Sequence, residues 1–115
     1  MNSEANPAAP GSIVVLFGTG FGPLAGPASN ALVGTPVGSP LPEYYFSVLA
    51  QVNNQNAEVL YGGQAPQLLA GVSQMNVRIP ANVSVRGSVN VRVSLRSPVG
   101  ATVMQLRGTP TVWVR

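Results

Sequence analysis

The sequence contains no cysteine, histidine, aspartate or lysine, and its only acids are Glu4, Glu43 and Glu58. Without cysteine the chain has neither a disulfide nor a thiolate metal site. Without histidine it has little for acid-base catalysis and no base that would activate a serine. Glu43 and Glu58 are the only carboxylates that could meet across a sugar. We therefore expect a non-catalytic protein that holds no metal and no cofactor.

Charge of either sign is also scarce. Charged residues make up 8% of the 115 residues, against roughly 25% in typical soluble domains. Weak charge repulsion makes association with copies of the chain or with neighbouring domains easier, so the chain could form oligomers. The positive residues are spread through the second half without a basic run, and we expect no nucleic-acid partner. They are Arg78, Arg86, Arg92, Arg96, Arg107 and Arg115.

Long apolar runs are missing as well. No window approaches the 18 apolar residues of a membrane-spanning helix, so we expect no membrane insertion. The opening "MNSEANPAAPGS" has neither the basic start nor the apolar region of a signal peptide. If the domain is exported, the sequence is that of a mature or excised chain.

What the chain does contain favours strands. Apolar residues reach 45% with only 6% aromatics, and there are 13 glycines and 11 prolines. A core of Val, Leu, Ile and Ala suits pleated strands, and so many glycines and prolines suit tight turns better than helices. We expect one domain at residues 12–115, preceded by a polar lead-in at residues 1–11.

Alternation with a period of two marks the individual strands. In "SVNVRVSLRS" Val89, Val91, Val93 and Leu95 alternate with polar residues, and in "QMNVRIP" Met75, Val77 and Ile79 do so. The segment "NNQN" predicts a hairpin turn. About seven short strands predict an all-β antiparallel sandwich, with a long Gly/Pro-rich connection after the first strand. The remaining predicted strands are 13–17, 44–52, 57–61, 101–106 and 111–115, and the connection is 19–42.

The glycines of "GTGFG", residues 18–22, resemble a phosphate-binding loop only superficially. Such a loop needs a following helix, whose N-terminal amides hold the phosphate. Pro23, Gly26 and Pro27 do not allow that helix. We interpret the glycines as a corner at a strand end, with unusual backbone angles and with Phe21 tucked beneath.

Four segments in order resemble a known family: "APGSIVVLFGTGFGP", "PLPEYYFSVLAQVNNQNAEVLYGGQAP", "GVSQMNVRIP" and "TVWVR". They look like the Ig-like, IPT/TIG-related domain at the C-terminal ends of large secreted proteins of Solibacter-type Acidobacteria. The resemblance covers most of residues 9–115. It implies an Ig-like sandwich on an extracellular bacterial protein, and it carries over no catalytic residue.

The first strand departs from that family pattern. Positions 13, 15 and 17, which would point outward and tolerate polar residues, hold Ile13, Val15 and Phe17. Two interpretations remain open for this apolar stripe. Either the long connection folds over it, or a neighbouring domain or second copy covers it, since exposed apolar patches often mark contacts. An uncharged edge strand would also accept another strand by β-augmentation.

The aromatic residues offer a different hypothesis. Tyr44, Tyr45, Tyr61 and Trp113 have flat faces with polar edges and could contact a glycan, although aromatics pack more often in a core or at its rim. We thus expect a structural or adhesive module that acts through protein contacts. The alternatives are a carbohydrate-binding module and a self-assembling subunit of a surface layer or filament.

Overall fold

The computed structural model describes residues 1–21, 46–69, 71–100, 102–105, 107–108 and 110–115. These residues form antiparallel strands, and no helix occurs among them. The predicted all-β antiparallel class is therefore confirmed. The strands are β1 Ile13–Thr19, β2 Ser47–Val52, β3 Gln55–Gln64, β4 Val72–Arg78, β5 Gly87–Arg96, β6 Thr102–Gln105 and β7 Thr111–Val114.

The strands form one curled sheet in the order β1-β4-β3-β2-β5-β6, and β7 also pairs with β5. β6 pairs with the end of β5, at Ser94 to Arg96, and β7 pairs with its beginning, at Gly87 to Asn90. β6 and β7 therefore occupy successive parts of β5. The sheet is six strands wide and curls into an open half-barrel.

β3 belongs to both halves of the curled sheet. Its first residues pair with β2 as far as Ala57, and its pairing with β4 begins at the next residue, Glu58. A β-bulge lies between Val59 and Tyr61, and the extra residue, Leu60, is exposed. Bulges bend a strand and increase its twist. The bend at Leu60 therefore lies close to Ala57 and Glu58, where β3 passes from one half of the sheet to the other.

The predicted hairpin between β2 and β3 is confirmed, with a tighter turn than the sequence indicated. Asn53 and Asn54 both have left-handed backbone angles, with φ of 50° and 62°. Two such residues form the loop that matches the twist of antiparallel strands, and asparagine tolerates this conformation well. β3 therefore starts at Gln55, two residues before the predicted return strand.

The core lies inside the curl, where the two halves face each other. The predicted inward residues of β4 and β5 are buried, and Val112 and Val114 of β7 join them. Burial of such aliphatic side chains stabilises by about 1.5–3 kcal/mol each, before the entropy cost of ordering the chain. The buried apolar cluster comprises Phe21, Ala50, Val52, Met75, Val77, Ile79, Val89, Val91, Val93, Leu95, Val112 and Val114.

The end of β1 also differs from the prediction. Gly18 does not end β1, which continues to Thr19. Its role is steric, because a Cβ at Gly18 would lie 2.9 Å from Cε2 of the buried Phe21 ring. The predicted corner comes at Gly20, with φ of 79°. The predicted packing of Phe21 under this corner is confirmed, while most of the 19–42 connection lies outside the described residues.

The polar lead-in is attached to the last strand. The Ala8 amide donates to the Trp113 carbonyl at 2.7 Å, and the Arg115 amide donates to the Ala8 carbonyl at 3.0 Å, as in parallel strands. The side-chain amide of Asn2 donates to the Trp113 carbonyl at 2.9 Å and accepts from the Trp113 amide at 2.7 Å. Asn2 thus bonds to Trp113 as a neighbouring strand would.

Gly62 provides a test of the close packing between β3 and β2. A Cβ at this position would lie 2.8 Å from Cγ2 of Val48, so Gly62→Ala should destabilise the fold by about 1–3 kcal/mol through overpacking. Urea unfolding measures the change. Val48→Ala alone should also destabilise, because Val48 packs against the core, but the double variant should lose less than the sum of the two single losses. If the two effects simply add, the contact does not limit position 62.

Asn2 provides a test of the lead-in attachment. Asn2→Ala removes two hydrogen bonds to the Trp113 backbone and should cost about 1–2 kcal/mol. Trp113 is the only tryptophan, so its fluorescence reports the unfolding. The control is Asn6→Ala, at an exposed residue whose side-chain amide donates to the Met1 carbonyl at 3.2 Å, and it should stay within about 0.5 kcal/mol of wild type. Equal stability of all three proteins would contradict the assigned role of Asn2.

Candidate functional site on the outer edge of the first strand

The candidate site is the apolar stripe formed by Ile13, Val15 and Phe17. All three side chains point outward and are 48%, 48% and 62% exposed, whereas Val14 and Leu16 pack against the core. This is the outward placement that the sequence predicted. Whether another protein covers the stripe stays a prediction.

The turn before β1 fixes which residues face outward. The Ser12 amide donates to the Ala9 carbonyl at 3.0 Å across Pro10 and Gly11, whose φ is 81°. A proline followed by a glycine with positive φ is the residue pair of a type II turn. The Gly11 amide also donates to the Ile79 carbonyl, and the Ile79 amide donates to the Ser12 carbonyl. Gly11 and Ser12 therefore both lie opposite Ile79. This arrangement is a glycine bulge, and it sets the register of β1 against β4.

The backbone of the stripe residues points away from β4. Because the Ser12 carbonyl faces β4, and backbone groups alternate in direction along a strand, the groups of Val14 and Leu16 also face β4. Those of Ile13, Val15 and Phe17 face the other way. Within the described part of the chain no strand pairs with that side of β1. The same three residues thus offer both apolar side chains and backbone donors and acceptors.

Polar residues of β4 border the stripe on the outer face. Arg78, Asn76 and Gln74 lie opposite Ile13, Val15 and Phe17. Nε of Arg78 lies 2.8 Å from Oε2 of Glu58, and Nε2 of Gln74 donates to Oδ1 of Asn76 at 2.9 Å. Nη1 of Arg78 also donates to the Gly11 carbonyl in the turn before β1, at 3.2 Å. The outer face therefore changes abruptly from a polar row to an apolar edge.

A groove runs between the stripe and the lead-in. It has a volume of about 600 Å³, and Asn2, Pro7 and Ala8 form one wall while Ile13, Val15 and Phe17 form the other. The lead-in thus lies close to β1 without pairing with it among the described residues.

The β7 part of the opposite edge of the sheet is protected. The Trp113 amide and carbonyl, which point away from β5, are bonded by Asn2 and Ala8. Unpaired strand edges invite other strands, and proteins commonly cover them. The chain covers the outer edge of β7 with its own lead-in, and no described residue covers the outer edge of β1 in this way. This contrast makes β1 the stronger candidate for a contact.

A second cavity of about 760 Å³ opens at the other end of β1. Its lining includes Arg107 and four apolar residues that belong to the core or pack beside it, namely Leu16, Phe21, Met75 and Val93.

Among the described residues no three His, Cys, Asp or Glu side chains come together as metal ligands. We found no helix in the described ranges with the length and hydropathy needed to span a membrane.

The proposed glycan-contact residues are not assembled into one surface in the described ranges. Tyr61 lies on β3, where its hydroxyl donates to the Gln64 carbonyl at 2.7 Å. Trp113 lies on β7 and is half-buried, and β2 and β5 separate these two strands. Tyr44 and Tyr45 lie outside the described residues. The glycan hypothesis stays a prediction.

Sequence reasoning missed the role of Asn2. A lone asparagine near an N-terminus carries no pattern, and its partner is 111 residues away. The only usable signal was the Pro-Gly pair at Pro10 and Gly11, which indicates a turn and so allows the preceding residues to run beside another strand. The choice of β7 as that strand depends on the folded sheet.

Comparison with known proteins provides no neighbour for this chain. No protein-family model, no curated protein and no solved structure matches it.

Hydrogen exchange tests the edge geometry directly. In dilute protein the amides of Ile13, Val15 and Phe17 should exchange at least about tenfold faster than those of Val14 and Leu16, because only the latter bond to β4. NMR exchange rates measure this alternation along one strand, so each residue has its own neighbour as a control. Equal protection of both sets would mean that another part of the chain pairs with the outer edge.

Proposed function

We propose that this chain is a non-catalytic structural or adhesive module of an extracellular bacterial protein, and that it acts through protein contacts at the outer edge of β1. The observation that carries the proposal is the coincidence of three exposed apolar side chains with outward backbone groups on one strand. Neighbouring domains of a larger protein, or copies of this chain, are the partners that fit it.

The strand order supports an Ig-like sandwich as the finer description of the fold. The first half of the sheet contains β1, β4 and the end of β3, and the second contains β2, β5 and the β6–β7 edge. Two antiparallel halves that face each other over one core are the arrangement of Ig-like domains. The IPT/TIG-like segments of the sequence agree with this assignment, and they are the basis for proposing an extracellular location.

The side-chain inventory supports a role without catalysis. The whole sequence offers three glutamates and no histidine, cysteine, aspartate or lysine. Glu58 is ion-paired with Arg78 on the outer face, and Glu4 is an exposed residue of the lead-in. General acid-base and nucleophilic catalysis both need a positioned proton acceptor. A protein that binds its partner through apolar side chains and the backbone of an edge strand needs no such proton acceptor.

Val15→Glu tests whether the stripe is a surface. Because Val15 is half exposed and its backbone points away from β4, the variant should keep the wild-type circular dichroism and lose less than about 1 kcal/mol of stability. The matched control is Val99→Glu, at a valine that is 90% exposed in the turn between β5 and β6. Unfolding of the Val15 variant alone would show that the stripe is part of the core.

The contact function is tested with the same two variants as baits. Immobilised wild type and Val99→Glu should retain a partner from the surface fraction of the producing bacterium, and Val15→Glu should lose it. Retention by all three baits would contradict a contact at β1. Binding to a glycan array that Trp113→Ala or Tyr61→Ala abolishes would instead favour the carbohydrate-binding alternative.

A further inference from the structure

We infer that the partner of the β1 edge is a second copy of this chain, whose own β1 pairs antiparallel with it about a two-fold axis at Val15. This inference rests on the proposed contact function and names its partner. In this register Val15 faces Val15 of the other copy, and Ile13 faces Phe17. Every exposed apolar side chain of the stripe then has an apolar neighbour.

The backbone geometry suits this register. The amide and carbonyl of Val15 both point out of the edge, as do those of Ile13 and Phe17. Residues whose groups point at each other form the hydrogen-bonded pairs of an antiparallel ladder, with two bonds per pair. Three such pairs would join the copies through six backbone hydrogen bonds. The two copies would then share one continuous sheet.

Charge does not oppose this pairing. No residue between Glu4 and Glu43 is charged, so β1 has none of the lysines or other charges with which edge strands commonly repel copies of themselves. A two-fold axis places each residue near its own equivalent, and like charges near that axis would repel. An uncharged stripe is therefore suited to a copy of itself, whereas a charged partner would find no complementary charge on β1.

The available area makes the pairing weak. One strand edge and three half-exposed side chains per copy fall short of the roughly 800 Å² that each partner buries in a standard stable interface. We therefore expect dimers with a dissociation constant on the order of 0.1 mM or weaker. Copies held close together, as in a tandem array or at a surface, would pair through their raised effective concentration.

Cysteine cross-linking tests the register, because the chain has no native cysteine. Residues opposite each other in a hydrogen-bonded pair have Cα atoms about 5.5 Å apart, which lies within the usual disulfide range of about 4.4–6.8 Å. In a glutathione redox buffer Val15→Cys should form disulfide dimers at least about tenfold faster than the exposed control Val99→Cys.

A second pair of variants distinguishes this register from a non-specific contact. In the proposed dimer, position 13 of one copy lies about 13 Å along the strand from position 13 of the other. Ile13→Cys alone should therefore cross-link no faster than Val99→Cys. An equal mixture of Ile13→Cys and Phe17→Cys should cross-link about half as fast as Val15→Cys, because about half of its dimers combine the two variants, and mass spectrometry should find the 13–17 disulfide between copies.

The outcomes separate this inference from the proposed function. If Val15→Cys and the mixture both cross-link no faster than Val99→Cys, pairing between copies is wrong. The contact function then stands if Val15→Glu still loses a partner that Val99→Glu retains. If Ile13→Cys alone cross-links as fast as Val15→Cys, the copies associate in another register and the two-fold at Val15 is wrong.

Discussion

The alternation of side chains along each strand is the constraint on which this structure depends. A shift of one residue in the pairing of a strand would move all its inward side chains to the outer face. In β4 and β5 this alternation buries the valines that form the core. In β1 it packs Val14 and Leu16 against the core and, by the same rule, exposes Ile13, Val15 and Phe17. The stability of the core and the composition of the candidate site therefore have one cause.

The strands that could be predicted from sequence are those in which this alternation is local. The patterns around Val77 and Val91 identify both the strand and its inward face, and two asparagines after β2 indicate the hairpin. The outward stripe follows in the same way from residues 13–17. Each of these features depends on residues within a few positions of one another.

The features that could not be predicted depend on distant pairing. The bond between Asn2 and Trp113 joins the two ends of the chain, and nothing near Asn2 in sequence indicates its partner. Gly18 looks like the end of a strand, but it lies within β1 opposite Ser73 of β4, and the ring of Phe21 folds back over it. The bulge at Leu60 likewise appears only when β3 is paired with β4. Which edge of the sheet is covered is therefore a property of the fold rather than of any segment.

The attachment of the lead-in also determines how the domain bears a pull on its two ends. Ala8 and the end of β7 run parallel, so tension that draws the two termini apart slides these segments past each other along their length. The bonds from Ala8 and Asn2 to Trp113, and from Arg115 to Ala8, are then loaded together rather than one after another. In a chain of such modules, each unit would resist stretching at this junction before the sheet itself opened.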